Sequence, residues 1–189
     1  MTTIGVTVLF TDIVGSTDLA ARLGAEAAER SRRSHFALVR GRIAAHGGTE
    51  VKNLGDGIMA VFPSSADALD TAIAIQQAIV RSDGLEPEGP TVRIGVAAGD
   101  CTPDSGDYFG EPVIVAARLC ARAEPGGILV PDHLRHLVPR GRFTIDHLGA
   151  TELKGLPEPV VVAAVRWEAS SATARSRVLG VLDRLADDT

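Results

Sequence analysis

Two aspartates stand where a carboxylate needs a partner. Asp12 closes the apolar run of VLFTDIVGST (8–17), and Asp56 sits in the Gly-Asp-Gly turn of TEVKNLGDGIMAVF (49–62). An unpaired buried charge is expensive, so a carboxylate at a strand tip implies a helix N-terminus, a base or a metal ion beside it. Hard divalent cations such as Mg²⁺ take oxygen ligands, commonly one or two protein carboxylates together with substrate phosphates. That chemistry suits the pair. Behind Asp12, the residues Gly15, Ser16 and Thr17 lead into a helix whose first N–H groups and positive dipole end would receive a polyphosphate. Each motif alone is equally compatible with plain structure, Asp12 as a helix cap and Asp56 as an ordinary turn residue. Their combination favours a cation site.

Periodicity predicts the elements that must position these groups. The alternating, β-branched opening IGVTVLF predicts a strand over about 4–11. Ser16 or Thr17 can cap a helix that runs to about 45 with a break at Gly24. The apolar runs on either side of Gly55-Asp56-Gly57 predict a β-hairpin. Helical spacing of apolar residues predicts an amphipathic helix over 65–82. TVRIGVAAGDC (91–101) reads as a long strand, followed by a polar loop to about 111. A helix follows in PVIVAARLCARA (112–123), with Pro112 tolerated in its first turn and EPGG ending it. A short strand ILV, a small helix near 132–137 and strands around 143–148 and 159–167 complete a domain over 1–167. Residues 168–189 read as a linker and a short amphipathic tail, VLGVLDRLA. Strands alternating with helices, plus one hairpin, give an α/β or α+β sandwich.

The chain has 189 residues and is 45% hydrophobic, which suits one packed domain. A net charge of −5 argues against a nucleic-acid surface, and one Trp with one Tyr argues against a stacking platform for single strands. The apolar stretches are too short to span a bilayer and the N-terminus lacks a signal-peptide layout, so the expected location is cytoplasmic, with no membrane partner. Cys101 and Cys120 read as reduced thiols. His133 and His136 lack a third ligand for zinc, and His35, His46 and His147 read as surface or boundary residues.

FTDIVGST, VKNLGDG forty residues later, GDYFG followed by VIVAARL, and ELKGLPEPV form an ordered series. Across residues 4–165 it resembles the catalytic domain of class III nucleotidyl cyclases, in particular short actinobacterial adenylyl cyclases. The resemblance implies an α+β, ferredoxin-like fold related to polymerase palms, with a central, mostly antiparallel sheet covered by helices. It also implies a head-to-tail homodimer with active sites at the interface, two Mg²⁺ or Mn²⁺ ions and ATP as substrate. Asp12 and Asp56 match the metal aspartates, with the Ile13 carbonyl as a further ligand. Lys52 matches the adenine-selecting lysine and Asp107 its partner. Arg118 matches the transition-state arginine, and Lys154 the lysine near the phosphates.

The Lys52–Asp107 match has its own physical reason. Adenine offers an acceptor at N1 and a donor at its N6 amine, which an ammonium and a carboxylate side by side complement; guanine reverses the pattern. One position departs from the family. Ile114 stands where active cyclases usually carry an asparagine, four residues before Arg118 on the same helix face. A missing transition-state donor of this kind costs ~10²- to 10³-fold in rate. The expected activity is therefore an adenylyl cyclase with weak turnover. The rival is a silent cyclase-homology module that binds nucleotide or serves in regulatory dimerisation. A diguanylate cyclase would need an acidic Gly-Gly-Asp-Glu turn that this sequence lacks.

Overall fold

The structure is a computed structural model and describes residues 2–16, 21, 24–83 and 91–168. The candidate residue Thr17 and the tail from residue 169 onward lie outside the described residues. β1 (Ile4–Ile13) forms antiparallel ladders on both sides, with β3 (Ile58–Phe62) and with β4 (Val92–Asp104). β2 (Thr49–Asn53) continues the sheet beyond β3 as the predicted hairpin. On the other side follow β6 (Ile128–Pro131), β8 (Val160–Arg166) and β7 (Thr144–Thr151), in the order β2-β3-β1-β4-β6-β8-β7. The sheet is mixed: β4 and β6 run parallel, and the other paired strands run antiparallel. A short 3₁₀ helix, Asp132–His136, follows β6 where the small helix is predicted.

Strand alternation sends neighbouring residues of β1 to opposite faces, and both faces are covered. Leu9 and Ile13 pack with Phe36 and Val39 of α1 (Ala25–Ala45) and with Leu69 and Ile75 of α2 (Ser65–Asp83). Val8 and Phe10 pack with Val115 and Leu119 of α3 (Glu111–Arg122). Fully burying an aliphatic side chain of this size contributes about 1.5–3 kcal/mol. α3 comes close to the sheet because β4 carries Gly95 at the crossing, where a Cβ would lie 2.1 Å from the Ala116 carbonyl oxygen.

Two elements and one residue differ from the expectations drawn from the sequence. β1 runs through Ile13 rather than ending near residue 11, so Asp12 is a strand residue paired in register with Arg93. The polar segment before α3 is a second hairpin: β4 continues to Asp104 and turns through Ser105 and Gly106 into β5 (Asp107–Phe109). Both turn residues have positive φ, 51° and 85°, as two-residue hairpin turns require. His35 is buried in α1 with its Nε2 unpartnered, and burial pushes its pKa down to about 4. With Phe36 it opens a buried helix face that continues at Val39 and Ile43, a stripe that the arginines around it obscure in the sequence.

Candidate active site

Asp12 and Asp56 are brought together by the β2–β3 hairpin tip. The Ile13 amide donates to the Asp56 carbonyl (2.9 Å), and the Ile58 amide donates to the buried Thr11 hydroxyl (3.0 Å). Gly57 permits this seating: a Cβ there would lie 2.0 Å from the Thr11 carbonyl oxygen. Asp56 is exposed, and its carboxylate has no hydrogen bond or ion pair among the described residues. Asp12 is half-buried and ion-paired with Arg93, whose Nε and Nη2 both donate to Oδ2. Its Oδ1 accepts nothing from described residues. Two carboxylates and the Ile13 carbonyl supply oxygens only, the donor set a hard divalent cation takes, so the residues fit Mg²⁺ or Mn²⁺. Beside them the Cys120 thiol is pushed up to about 12 by burial first and by the Asp12 carboxylate second. It stays protonated and is no nucleophile.

The second group joins the two hairpins. Lys52 on β2 donates to Asp107 Oδ2 on β5 at 2.5 Å, and the Tyr108 amide donates to Oδ1 at 2.8 Å. Both bonds, that from Lys52 foremost, hold the Asp107 carboxyl below its ordinary range. The carboxylate is therefore ionised and already seated on the Lys52 amine nitrogen before any ligand arrives. The register shift in β2 between Glu50 and Lys52 accompanies this arrangement.

The third group lies on α3. Ile114 and Arg118 are both exposed, one turn apart. Arg118 Nε donates to the Lys154 carbonyl (3.0 Å), so the segment between β7 and β8 meets the helix through its backbone. The Lys154 side chain is exposed, and a Cβ on the next residue, Gly155, would lie 4.0 Å from Ile114 Cγ2. Val14 and Gly15 form the turn after β1, with Gly15 at φ 66°, and Ser16 follows as a helical residue. No hydrogen bond or ion pair among the described residues joins one of the three groups to another.

Arg93 escaped the sequence reading. The signal was there: a lone charge inside the apolar run of TVRIGVAA calls for a partner by the same argument that singled out Asp12. A cleft of about 430 Å³ opens between β4, the start of α3 and β8, but it is lined by none of the candidate residues. Among the described residues, no helix is long and apolar enough to cross a membrane.

The profile of the Adenylate and Guanylate cyclase catalytic domain family matches residues 2–165. Over 165 residues the chain is 32% identical to the pH-sensitive adenylate cyclase of Mycobacterium tuberculosis, covering 85% of this chain and 40% of that protein. It is 33% identical over 121 residues to an adenylate cyclase of Streptomyces coelicolor, covering 64% of this chain and 31% of that one. The chain thus spans well under half the length of these curated relatives. An adenylate/guanylate cyclase/hydrolase from Silicibacter pomeroyi, solved by crystallography, superposes with a TM-score of 0.76 at 32% identity, covering 89% of this chain and 100% of its own. The adenylyl cyclase CyaB from P. aeruginosa gives 0.76 at 26% identity, covering 91% and 98%.

Proposed function

The chain belongs to the adenylate and guanylate cyclase catalytic domain family, and from that premise we propose that it is a cytoplasmic adenylyl cyclase working as a homodimer. The observation that carries the choice of adenine is the Lys52–Asp107 pair. Its ammonium donates to adenine N1 and its carboxylate accepts from the N6 amine. Guanine, with O6 and N1–H in those places, presents a donor toward the carboxylate's neighbour and leaves a like pairing unmet. The unpaired, buried thiols of Cys101 and Cys120 support a reducing compartment.

The reaction is intramolecular. The ribose 3′-oxygen of ATP attacks the α-phosphorus, the bond from that phosphorus to the bridging oxygen breaks, and cyclic AMP and pyrophosphate leave. Bound Mg²⁺ or Mn²⁺, two ions in this reading, would lower the pKa of the 3′-hydroxyl and neutralise phosphate charge. Asp12, Asp56 and the Ile13 carbonyl would hold the cations, and the amides of Gly15 and Ser16 would receive phosphate oxygens. Lys52 and Asp107 fix the base and so set the ribose. Arg118 meets charge developing on the α-phosphate with a planar fork of donors, and the Lys154 carbonyl holds that fork. The Lys154 ammonium lies near the phosphates.

In the dimer, one protomer contributes Asp12 and Asp56 while its partner contributes the base-reading pair and Arg118. Exposed Leu54, Phe109 and Ile114 flank these residues and supply apolar surface for that contact. Ile114 also favours a second reading, a nucleotide-binding or regulatory dimerisation module without turnover, because an apolar side chain cannot bond ribose or phosphate.

The test is product identity. Wild-type protein given equal ATP and GTP with Mn²⁺ should yield cyclic AMP in excess, and Lys52→Glu should move the product ratio toward cyclic GMP. Cyclic GMP as the main wild-type product would overturn the adenine assignment, and nucleotide binding with no cyclic product would favour the silent module.

A further inference from the structure

Arg93 lies against a proposed cation ligand, yet no role in the reaction falls to it. Its position is over-determined. Register pairs it with Asp12 across β1 and β4, both side chains are largely out of water at 29% and 24% exposure, and Nε and Nη2 bind one carboxylate oxygen. Its remaining nitrogen, Nη1, donates to the Ala121 carbonyl at 2.7 Å. That carbonyl belongs to the last turn of α3, the negative end of a helix dipole, where a guanidinium is favoured. Two anchors from different elements therefore hold the charge still.

Resting on the cyclase reading, we propose that Arg93 is a built-in counter-cation to Asp12 that makes divalent-cation binding depend on nucleotide. With Arg93 in place, Asp12 and Asp56 together carry a net charge of about −1 rather than −2 toward an entering ion. Both guanidinium bonds fall on Oδ2, so among the described residues Oδ1 stays open as a ligand and the cation site is weakened rather than blocked. A polyphosphate brings several anionic oxygens and restores the missing negative charge. The free protein then holds Mg²⁺ or Mn²⁺ weakly, and the ions are retained when nucleotide is present. Even at the dielectric of water, a unit positive charge on the order of 5 Å from a divalent ion lowers its affinity roughly tenfold, and a half-buried setting increases the effect.

The experiment is Mn²⁺ binding read by electron paramagnetic resonance, without nucleotide and with α,β-methylene-ATP, after correction for Mn²⁺ held by the analogue alone. The proteins are the wild type, Arg93→Gln, Arg93→Met and Arg93→Lys, each checked by thermal melting. Without nucleotide the two neutral variants should bind Mn²⁺ at least ~10-fold more tightly than the wild type, while Arg93→Lys, which keeps the charge, stays weak. Equal nucleotide-free affinity in folded wild type and neutral variants overturns the proposal. So does wild-type binding tighter than ~0.1 mM without nucleotide, a result that needs no variant to fold. Absence of Mn²⁺ binding in every protein, even with the analogue, instead overturns the cation site of the cyclase reading and this inference with it.

Discussion

Replacing Ile114 with asparagine separates a slow enzyme from a module that has abandoned catalysis. Ile114 is 40% exposed, so it is not a core residue whose replacement must bury an amide. Fully burying an isoleucine contributes about 1.5–3 kcal/mol; roughly three fifths of that is at stake, and the shared atoms of asparagine recover part of it. The expected cost is about 0.5–1 kcal/mol, a fall in Tm of roughly 1–4 °C for a chain of this size. Against it stands a donor one turn from Arg118. If that donor recovers its full value in the transition state, kcat rises by as much as ~10²-fold. The gain is smaller where the Gly155 segment, which approaches Ile114, must shift. Initial rates of cyclic AMP formation over a range of ATP, paired with melting curves, read both effects. A gain in kcat with little change in KM marks a transition-state contact. An unchanged rate together with a loss of several kcal/mol would refute both the exposure argument and the catalytic one.

Three further outcomes follow from particular residues. His35 has a folded pKa of about 4 against an ordinary 6.5, so the unfolded chain binds the extra proton first; stability is full above pH 6.5 and falls as pH drops toward 4, by up to about 3 kcal/mol. His35→Leu should flatten that slope in urea titrations, and a slope that survives would remove His35 as its cause. Gly57→Ala must move the hairpin tip off Thr11 and should cost about 1–3 kcal/mol or more while depressing cation binding; a variant as stable as the wild type would contradict the seating described. Mixing Asp12→Ala with Arg118→Ala, each inactive alone, should recover part of the activity because one interface of the mixed dimer is intact, and no recovery in demonstrated heterodimers would deny shared sites.

Much of the arrangement is legible in the sequence because it is local. The strand periodicity of IGVTVLF, the Gly-Asp-Gly turn and the helical spacing of 65–82 each act within a few residues, and the observed elements follow them closely. The extension of β1 through Asp12 is not local: it depends on β4 offering Arg93 as a cross-strand partner. Likewise the Ser105–Gly106 hairpin reads as polar loop because its paired stretch is only three residues a side, Thr102–Asp104 with Asp107–Phe109, none of them buried, and Lys52 reaches Asp107 across 55 positions. Ordered motifs give the candidate residues, but the chain's own geometry groups them into three sets. The Lys154 carbonyl, which holds Arg118, is a backbone contact that no side-chain pattern announces.

Incubating the purified chain with ATP and Mn²⁺ and identifying both products by mass spectrometry tests the central claim most directly. Cyclic AMP and pyrophosphate should form in equal amounts from the wild type, and neither should form from Asp56→Ala, which removes a proposed cation ligand from an exposed turn without touching the core. Formation of ADP and phosphate would place the attack on the terminal phosphorus by water and contradict the cyclase chemistry. Intact ATP, with nucleotide bound and the fold retained, would leave the chain as a module that keeps the family's site without its reaction.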